Sequence, residues 1–556
     1  MYKFLMSGFL YLFFCLQVSA QTKIVNPILA GFYPDPSITK VGTDYYLVNS
    51  TFAYFPGIPV FHSKDLKNWK QVGNVIDRPT QMNFMGDRVT RGLFAPAINY
   101  HKGLFYITCT QIDHRGNFVM TAKSAAGPWS DPVWLPQVQG IDPSLFFDTD
   151  KAYVVYNGDA PDNKPFYSGH RTIRVNEFDP VTNKVKSENH ILVNGGVDIS
   201  KKPVWIEGPH IMKVGNWYYL YAAEGGTSVN HSEVVFRSKA ALGPYVPYEN
   251  NPILTQRGLP EDRKNPITSA GHAEFVKGPD GRTYAVFLAV RPYEGNYYNT
   301  GRETFIAPVK WVNEWPVINP DSKEIKYQYT VNYKEIKQAG TPPQSGNFNY
   351  STRFENGLDK SYLFLRTNDA SWYKTSATNG LTINLKPETC MERGNPAFIA
   401  KRQQHTTCIA GTKLGFTAQK PGEKAGLMTF QDESHFYLIC KSVDSSQRPV
   451  VQLFKGIKND KSMELLAEKV LAQGKQDIRF RIMANGATYA FEYALANGNW
   501  ITLKKDVDGK YLSTEVAGGF IGCVFAMYAT SSGNATTNTA NFKSFNYSGA
   551  DSIYKK

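Results

Sequence analysis

The chain has 556 residues, too many for one ordinary domain and enough for two or three. With 42% apolar and 20% charged residues it can pack cores and is no disordered chain, and 34 Phe, 33 Tyr, 45 Gly and 32 Pro favour short strands and tight turns over helices. The formal charge of +13 is dispersed, and even the densest stretch, Lys455 to Lys469, mixes both signs; no basic helix, RNA-binding signature or metal-finger spacing points to nucleic acid.

Residues 1–20 read as a secretory signal. Lys3 precedes an apolar run from Phe4 to Val18, and Val18-Ser19-Ala20 forms a small-x-small cleavage site ahead of Gln21. Cleavage there predicts a secreted or periplasmic protein. Nothing later reaches the ~18 apolar residues of a membrane span. The remaining cysteines, Cys109, Cys390, Cys408, Cys440 and Cys523, are odd in number and widely spaced, with no CxxC pair. That pattern predicts buried thiols and neither a disulfide framework nor a zinc site, with one bridge in the C-terminal half left open.

Within a domain read as residues 24–315, a unit recurs over residues 24–310: a turn with Gly or Asp, then an aromatic strand. The strands are Asp44–Val48, Leu104–Thr108, Ala152–Tyr156, Trp217–Tyr221 and Thr283–Phe287. The spacing suits a four-stranded antiparallel blade, and five blades predict a β-propeller, whose radial closure protects its sheet edges. Counting back eleven or twelve residues from the tyrosines of these strands lands on Asp35, Ala95, Asp142, Glu207 and His272. Innermost strands line the axis of a propeller, so these positions are predicted to converge on one pocket.

Three carboxyl groups in one pocket suit hydrolysis of a glycosidic bond. One protonates the departing oxygen, one drives the attack, and a third raises the acid's pKa and orients it. On that chemistry Asp35 is the base, Glu207 the acid and Asp142 the modulator.

The motifs that carry these residues resemble glycoside hydrolase family 43. They are Asn26-Pro27-Ile28-Leu29-Ala30-Gly31-Phe32-Tyr33-Pro34-Asp35-Pro36-Ser37, Gly140-Ile141-Asp142-Pro143-Ser144 and Ile206-Glu207-Gly208-Pro209-His210. The resemblance implies a five-bladed propeller, single-displacement hydrolysis with inversion, and the same three roles for Asp35, Asp142 and Glu207. It further implies that Arg302, in Gly301-Arg302-Glu303-Thr304, binds the sugar, and that Phe52 and Phe94 wall the pocket, Phe94 standing where many relatives have Trp. His272 matches an axial histidine of the family. No cofactor is required on this reading, and a structural calcium held through water at His272 is allowed. Neighbouring invertase-like sequences have Asn before the first Asp and Cys after the acid; here Pro34 and Gly208 stand in those places, which disfavours fructan chemistry. Glu224, Asp159 and Arg291 each follow a strand and are candidates for the same rim.

After Trp311 the pattern breaks. Residues 316–347, with Gly340-Thr341-Pro342-Pro343, read as a linker, and residues 348–548 as a β-sandwich resembling the concanavalin-like module of the xylosidase branches. Val524–Tyr528 is the candidate for a loop that closes the pocket and limits it to a chain end. The expected activity is exo-acting release of xylose from β-1,4-xylo-oligosaccharides or xylan side chains. The alternatives are an α-L-arabinofuranosidase acting on arabinoxylan or arabinan, and a non-catalytic glycan-binding protein.

Overall fold

The computed structural model describes residues 21–338, 343–458, 460–496 and 498–555, so the signal read in residues 1–20 lies outside the described residues. Five antiparallel sheets follow one another in the first half, each laid down in chain order from its innermost strand. Their innermost strands are Ser37–Val41, Ala97–His101, Ile141–Phe147, Glu207–Val214 and Thr268–Lys277, and the predicted aromatic strand is the second of each blade. The architecture is an all-β five-bladed propeller followed by a β-sandwich.

Closure of the ring is made by contacts that reach across its ends. Thr22–Val25 pairs with Gln328–Val331, and Asn26 donates to the carbonyl of Ile306 at 2.8 Å. Near the axis Glu274 of the last blade accepts bonds from Ser37 Oγ and the Ile38 amide of the first, both at 2.6 Å.

Two expectations need correction here. The stretch read as a linker begins inside the last blade, because Trp315–Ile318 pairs with Val309–Val312 as its fourth strand, and it continues into the closing ribbon at Gln328–Val331. Pro316 is tolerated because it lies on an edge strand, where a missing N–H breaks no ladder. Val524–Thr530 is not a loop: it runs between Ala397–Arg402 and Lys424–Phe430 in a six-stranded sheet of the sandwich.

A second sheet, in which Thr539–Gly549 pairs with Thr407–Gly415, faces the first across a core of Leu427, Ile439, Phe480, Ile482, Phe525 and Phe545. Among the described residues the five cysteines, Cys109, Cys390, Cys408, Cys440 and Cys523, are buried and unbridged.

The two halves share one apolar cluster, in which Phe32, Phe52, Tyr54 and Val89 of the propeller pack with Leu363, Phe398, Phe430 and Ile521 of the sandwich. Tyr54–Phe55 even forms a short strand pair with Phe364–Leu365. Burial of this kind, at about 25 cal/mol per Å2, holds the domains as a unit. The seam runs directly under the wall residue Phe52.

Candidate active site

A shared backbone device presents the axial residues. Asp35, Asp142 and His272 all have left-handed backbone, with φ of 52°, 55° and 56°. Each such residue costs about 1–2 kcal/mol outside glycine, strain of the kind that persists where the surroundings fix a functional group. Where blades three, four and five enter their innermost strands the ladder slips, between Ile141 and Ser144, Glu207 and His210, and Gly271 and Glu274. Such bulges re-aim side chains.

The registers also correct the phase expected for the acid. Glu207 stands level with Ile141, and it is Gly208, φ 57°, that occupies the place of Asp142. Glycine is required there: a Cβ on residue 208 would sit 2.7 Å from the His272 ring.

Asp35, Asp142, Glu207, His272, Arg302, Phe52 and Phe94 all line one cavity of about 540 Å3. Asp35 is buried and doubly held. Ser50 Oγ donates to one oxygen at 2.6 Å, and Arg302 pairs with the other at 2.8 Å. Asp142 accepts the Gly208 N–H at 3.1 Å, so its carboxyl is tied to the peptide that follows Glu207. Among the described residues nothing hydrogen-bonds the Glu207 carboxyl, which leaves its oxygens to the cavity.

Burial dominates the electrostatics of Glu207 and Asp142. Burial, and after it the charge of Asp142, pushes Glu207 up to about 8, with Arg302 pulling the other way. Glu207 therefore keeps its proton at neutral pH. Burial and then Asp35 raise Asp142 as well, opposed by the Gly208 amide. Beneath them burial lowers His272, and lowers His210 and His231 to about 3, so the axial floor is made of neutral imidazoles. Among the described residues no three of His, Cys, Asp or Glu form a group able to hold a metal ion.

The walls are aromatic. Phe52 and Phe94 meet edge to face at 6.0 Å, and a ring absent from the sequence-based set completes them. Phe520, from the sandwich, stacks at 6.2 Å on Phe52 and meets Phe94 at 5.4 Å. Its guanidinium neighbour is Arg302, at 5.4 Å. Here, and not at Val524–Tyr528, the second domain reaches the pocket. The segment fits because of its glycines. A Cβ on Gly519 would strike Thr90 at 2.3 Å and one on Gly522 would meet Thr300 and Gly301 at 2.6 Å, while the Phe520 amide bonds Thr90 Oγ1 at 2.7 Å.

Three rim candidates resolve differently. Arg291 does not face the cavity: it is buried against Glu303 at 2.6 Å and Asp551 at 2.7 Å, clamping the last blade to the C-terminal segment. Glu224 accepts the Val197 amide at 3.0 Å and lies off the cavity wall. Asp159 is exposed and pairs with Arg171. Arg171, Arg91 and Trp205 line the cavity mouth and carry no signal in the repeat.

Comparison with known proteins agrees with this geometry. The profile of Glycosyl hydrolases family 43 matches residues 24–316, and that of the Beta xylosidase C-terminal Concanavalin A-like domain matches residues 351–548. A xylosidase/arabinosidase of Butyrivibrio fibrisolvens is 37% identical over 94% of this chain and 98% of its own. A non-reducing end alpha-L-arabinofuranosidase of Bacteroides ovatus is 36% identical over 95% of both. Among solved structures, a Bacteroides ovatus GH43B protein from a xyloglucan locus superposes with TM-score 0.84 at 34% identity, covering 95% of this chain and 99% of its own. A xylan beta-1,4-xylosidase of Bacillus halodurans gives TM-score 0.85 at 27% identity, covering 94% of this chain and all of its own. The match across the catalytic half and the relatives aligned over nearly the whole chain establish that this protein is a glycoside hydrolase of family 43.

Proposed function

We propose that the enzyme removes a single pentose from the non-reducing end of a plant-type oligosaccharide or polysaccharide, with inversion, and that its principal activity is that of a β-xylosidase. The observation that carries the exo reading is the pocket itself. Phe52, Phe94 and Phe520 close three aromatic sides around the Asp35–Arg302 pair, which leaves room for a chain end and not for a chain passing through.

In this scheme the sugar rests against the three rings while Arg302 donates to its hydroxyls. Glu207 gives its proton to the glycosidic oxygen as the bond from that oxygen to the anomeric carbon breaks. Asp35 takes a proton from water, and the water oxygen bonds to the anomeric carbon from the opposite face. The products are a free pentose and a shortened alcohol, and Asp35 and Glu207 exchange protons with solvent before the next turn. Burial, and after it the charge of Asp142, keeps Glu207 protonated, and Asp142 also holds the Gly208 peptide. No step is routed through a cation. Residues 1–20, read as a secretory signal, support an activity exerted outside the cytoplasm.

A second reading, α-L-arabinofuranosidase, is favoured by the Bacteroides ovatus relative of that name and by Phe94, a smaller ring than the Trp of many relatives. The test is the ratio of kcat/KM for aryl β-D-xylopyranoside and aryl α-L-arabinofuranoside, with Asp35→Ala as the blank. A xyloside excess lost in the blank supports the first reading, and an arabinoside excess replaces it with the second. Turnover that survives Asp35→Ala removes Asp35 from the scheme. Proton NMR of the first-formed anomer decides inversion.

A further inference from the structure

The mouth of the pocket carries an aromatic side chain that the hydrolytic scheme does not use. Trp205 lies two residues before Glu207, and it lines the cavity while remaining 37% exposed, although Ile206 between them is fully buried. Its backbone is left-handed, φ 50°, a conformation disfavoured for a bulky residue. The surroundings hold it there. The Trp205 amide donates to the Gly169 carbonyl at 3.0 Å, and the Gly225 amide caps the Val204 carbonyl at 2.8 Å.

The indole is also fixed from one side. The Arg171 guanidinium lies 4.6 Å from its ring centre, and is itself anchored by Asn157 Oδ1 at 2.8 Å and by Asp159. Asn157 in turn donates to the Ile206 carbonyl at 2.5 Å, so one hydrogen-bonded chain sets both the indole and the acid's strand.

The direction follows from the acid. A general acid must sit at the glycosidic oxygen, between the sugar that is removed and the group that leaves. The removed sugar occupies the aromatic end, with Asp35, Arg302 and Phe520. Trp205 is on the chain that continues outward from Glu207 to the rim, and therefore on the leaving-group side. A cavity of about 540 Å3 lies within the ~300–1,000 Å3 range of sites that take ligands of several rings, and exceeds what one pentose fills.

We propose that Trp205, fixed by Arg171, is the platform for the leaving sugar, packing against the apolar C–H face of a pyranose. This rests on Glu207 being the acid. The preferred leaving group is then a pyranose of an oligosaccharide or chain, in place of a small or acyclic alcohol. Aromatic rings suit this role because they offer a large rigid apolar surface at little cost in rotamer freedom.

The test compares a disaccharide-type substrate with a glycosyl fluoride, which has no leaving sugar. The pair is xylobiose and β-D-xylosyl fluoride, or α-L-arabinofuranosyl-xylobiose and α-L-arabinofuranosyl fluoride where the aryl ratio shows an arabinosidase. Trp205→Leu is expected to lower kcat/KM on the oligosaccharide ~10- to 100-fold, mainly through KM, and to change the fluoride less than ~3-fold. Trp205→Phe is expected to restore most of the loss. Equal losses on both substrates would show that Trp205 only supports the acid's strand, and an unchanged oligosaccharide rate would show that no sugar packs there; either overturns the proposal. Fluoride turnover retained in the variant keeps such a failure separate from a failure of the hydrolytic scheme, which Asp35→Ala reports.

Discussion

The Glu207 carboxyl holds a proton that the unfolded chain would release, and this has a measurable cost. Its pKa is raised from an ordinary 4.5 to about 8. Below pH 4.5 both states are protonated and the residue is neutral to stability. As pH climbs from there toward 8, the unfolded chain gives up the proton and the folded enzyme does not, so the folded state loses ground with rising pH. At pH 7 the penalty is about 3 kcal/mol, from about 1.36 kcal/mol for each pH unit above the ordinary carboxyl pKa. Glutamine has the shape and neutrality of the protonated acid and never incurs this penalty. Glu207→Gln is therefore expected to be more stable than the parent by ~2–3 kcal/mol at pH 7 and by ~0 at pH 4, while losing activity on substrates with poor leaving groups. Urea titrations at the two pH values measure the difference. Equal stabilities at pH 7, or a gain independent of pH, would refute the claim that burial and Asp142 keep this acid protonated.

Other substitutions read separate parts of the machine. Asp142→Asn keeps an oxygen for the Gly208 amide and removes a charge beside Glu207; the alkaline limb of kcat/KM is expected to move down by ~1 pH unit, and an unmoved limb would deny the coupling. Phe520→Ala removes a pocket wall without touching the propeller fold, so KM for an aryl pentoside should rise ~10-fold with kcat changed less, and an unchanged KM would mean the ring does not meet the sugar. Arg291→Met leaves Glu303 and Asp551 buried without their cation, and a loss of ~3–5 kcal/mol in urea unfolding is expected; an unchanged midpoint would remove the clamp from the interdomain seam.

The axial acids were legible because a propeller repeats its geometry. Asp35 and Asp142 each precede the tyrosine of the next strand by eleven residues, and the same fold places them alike. Glu207 precedes its tyrosine by twelve, and the count could not tell that Gly208 takes the equivalent place, because the bulge is set by contact with His272 from another blade. Arg302 was found through resemblance and not through periodicity; its neighbour Glu303 points the other way, to Arg291. Position after a strand misled for Arg291, since a strand end is as able to meet a second domain as to meet solvent. Phe520 left only one trace, the Gly518-Gly519 pair before it, and glycines alone do not say what they approach.

The domain seam explains why the pocket belongs to a two-domain unit. A propeller alone offers an open funnel whose acids face solvent from one end, and Glu207 in such a funnel would hold its proton poorly, because burial is the largest cause of its raised pKa. The sandwich supplies Phe520 to the aromatic end of the cavity, together with Ile521 and Phe398 beneath Phe52. One contact thus serves two ends. It narrows the cavity to a chain end, and it contributes to the dry surroundings in which a carboxylic acid stays protonated at neutral pH. Specificity for a terminal sugar and the protonation of Glu207, the proposed acid, are on this reasoning coupled through the same ring, and a substitution that removes Phe520 should weaken both together.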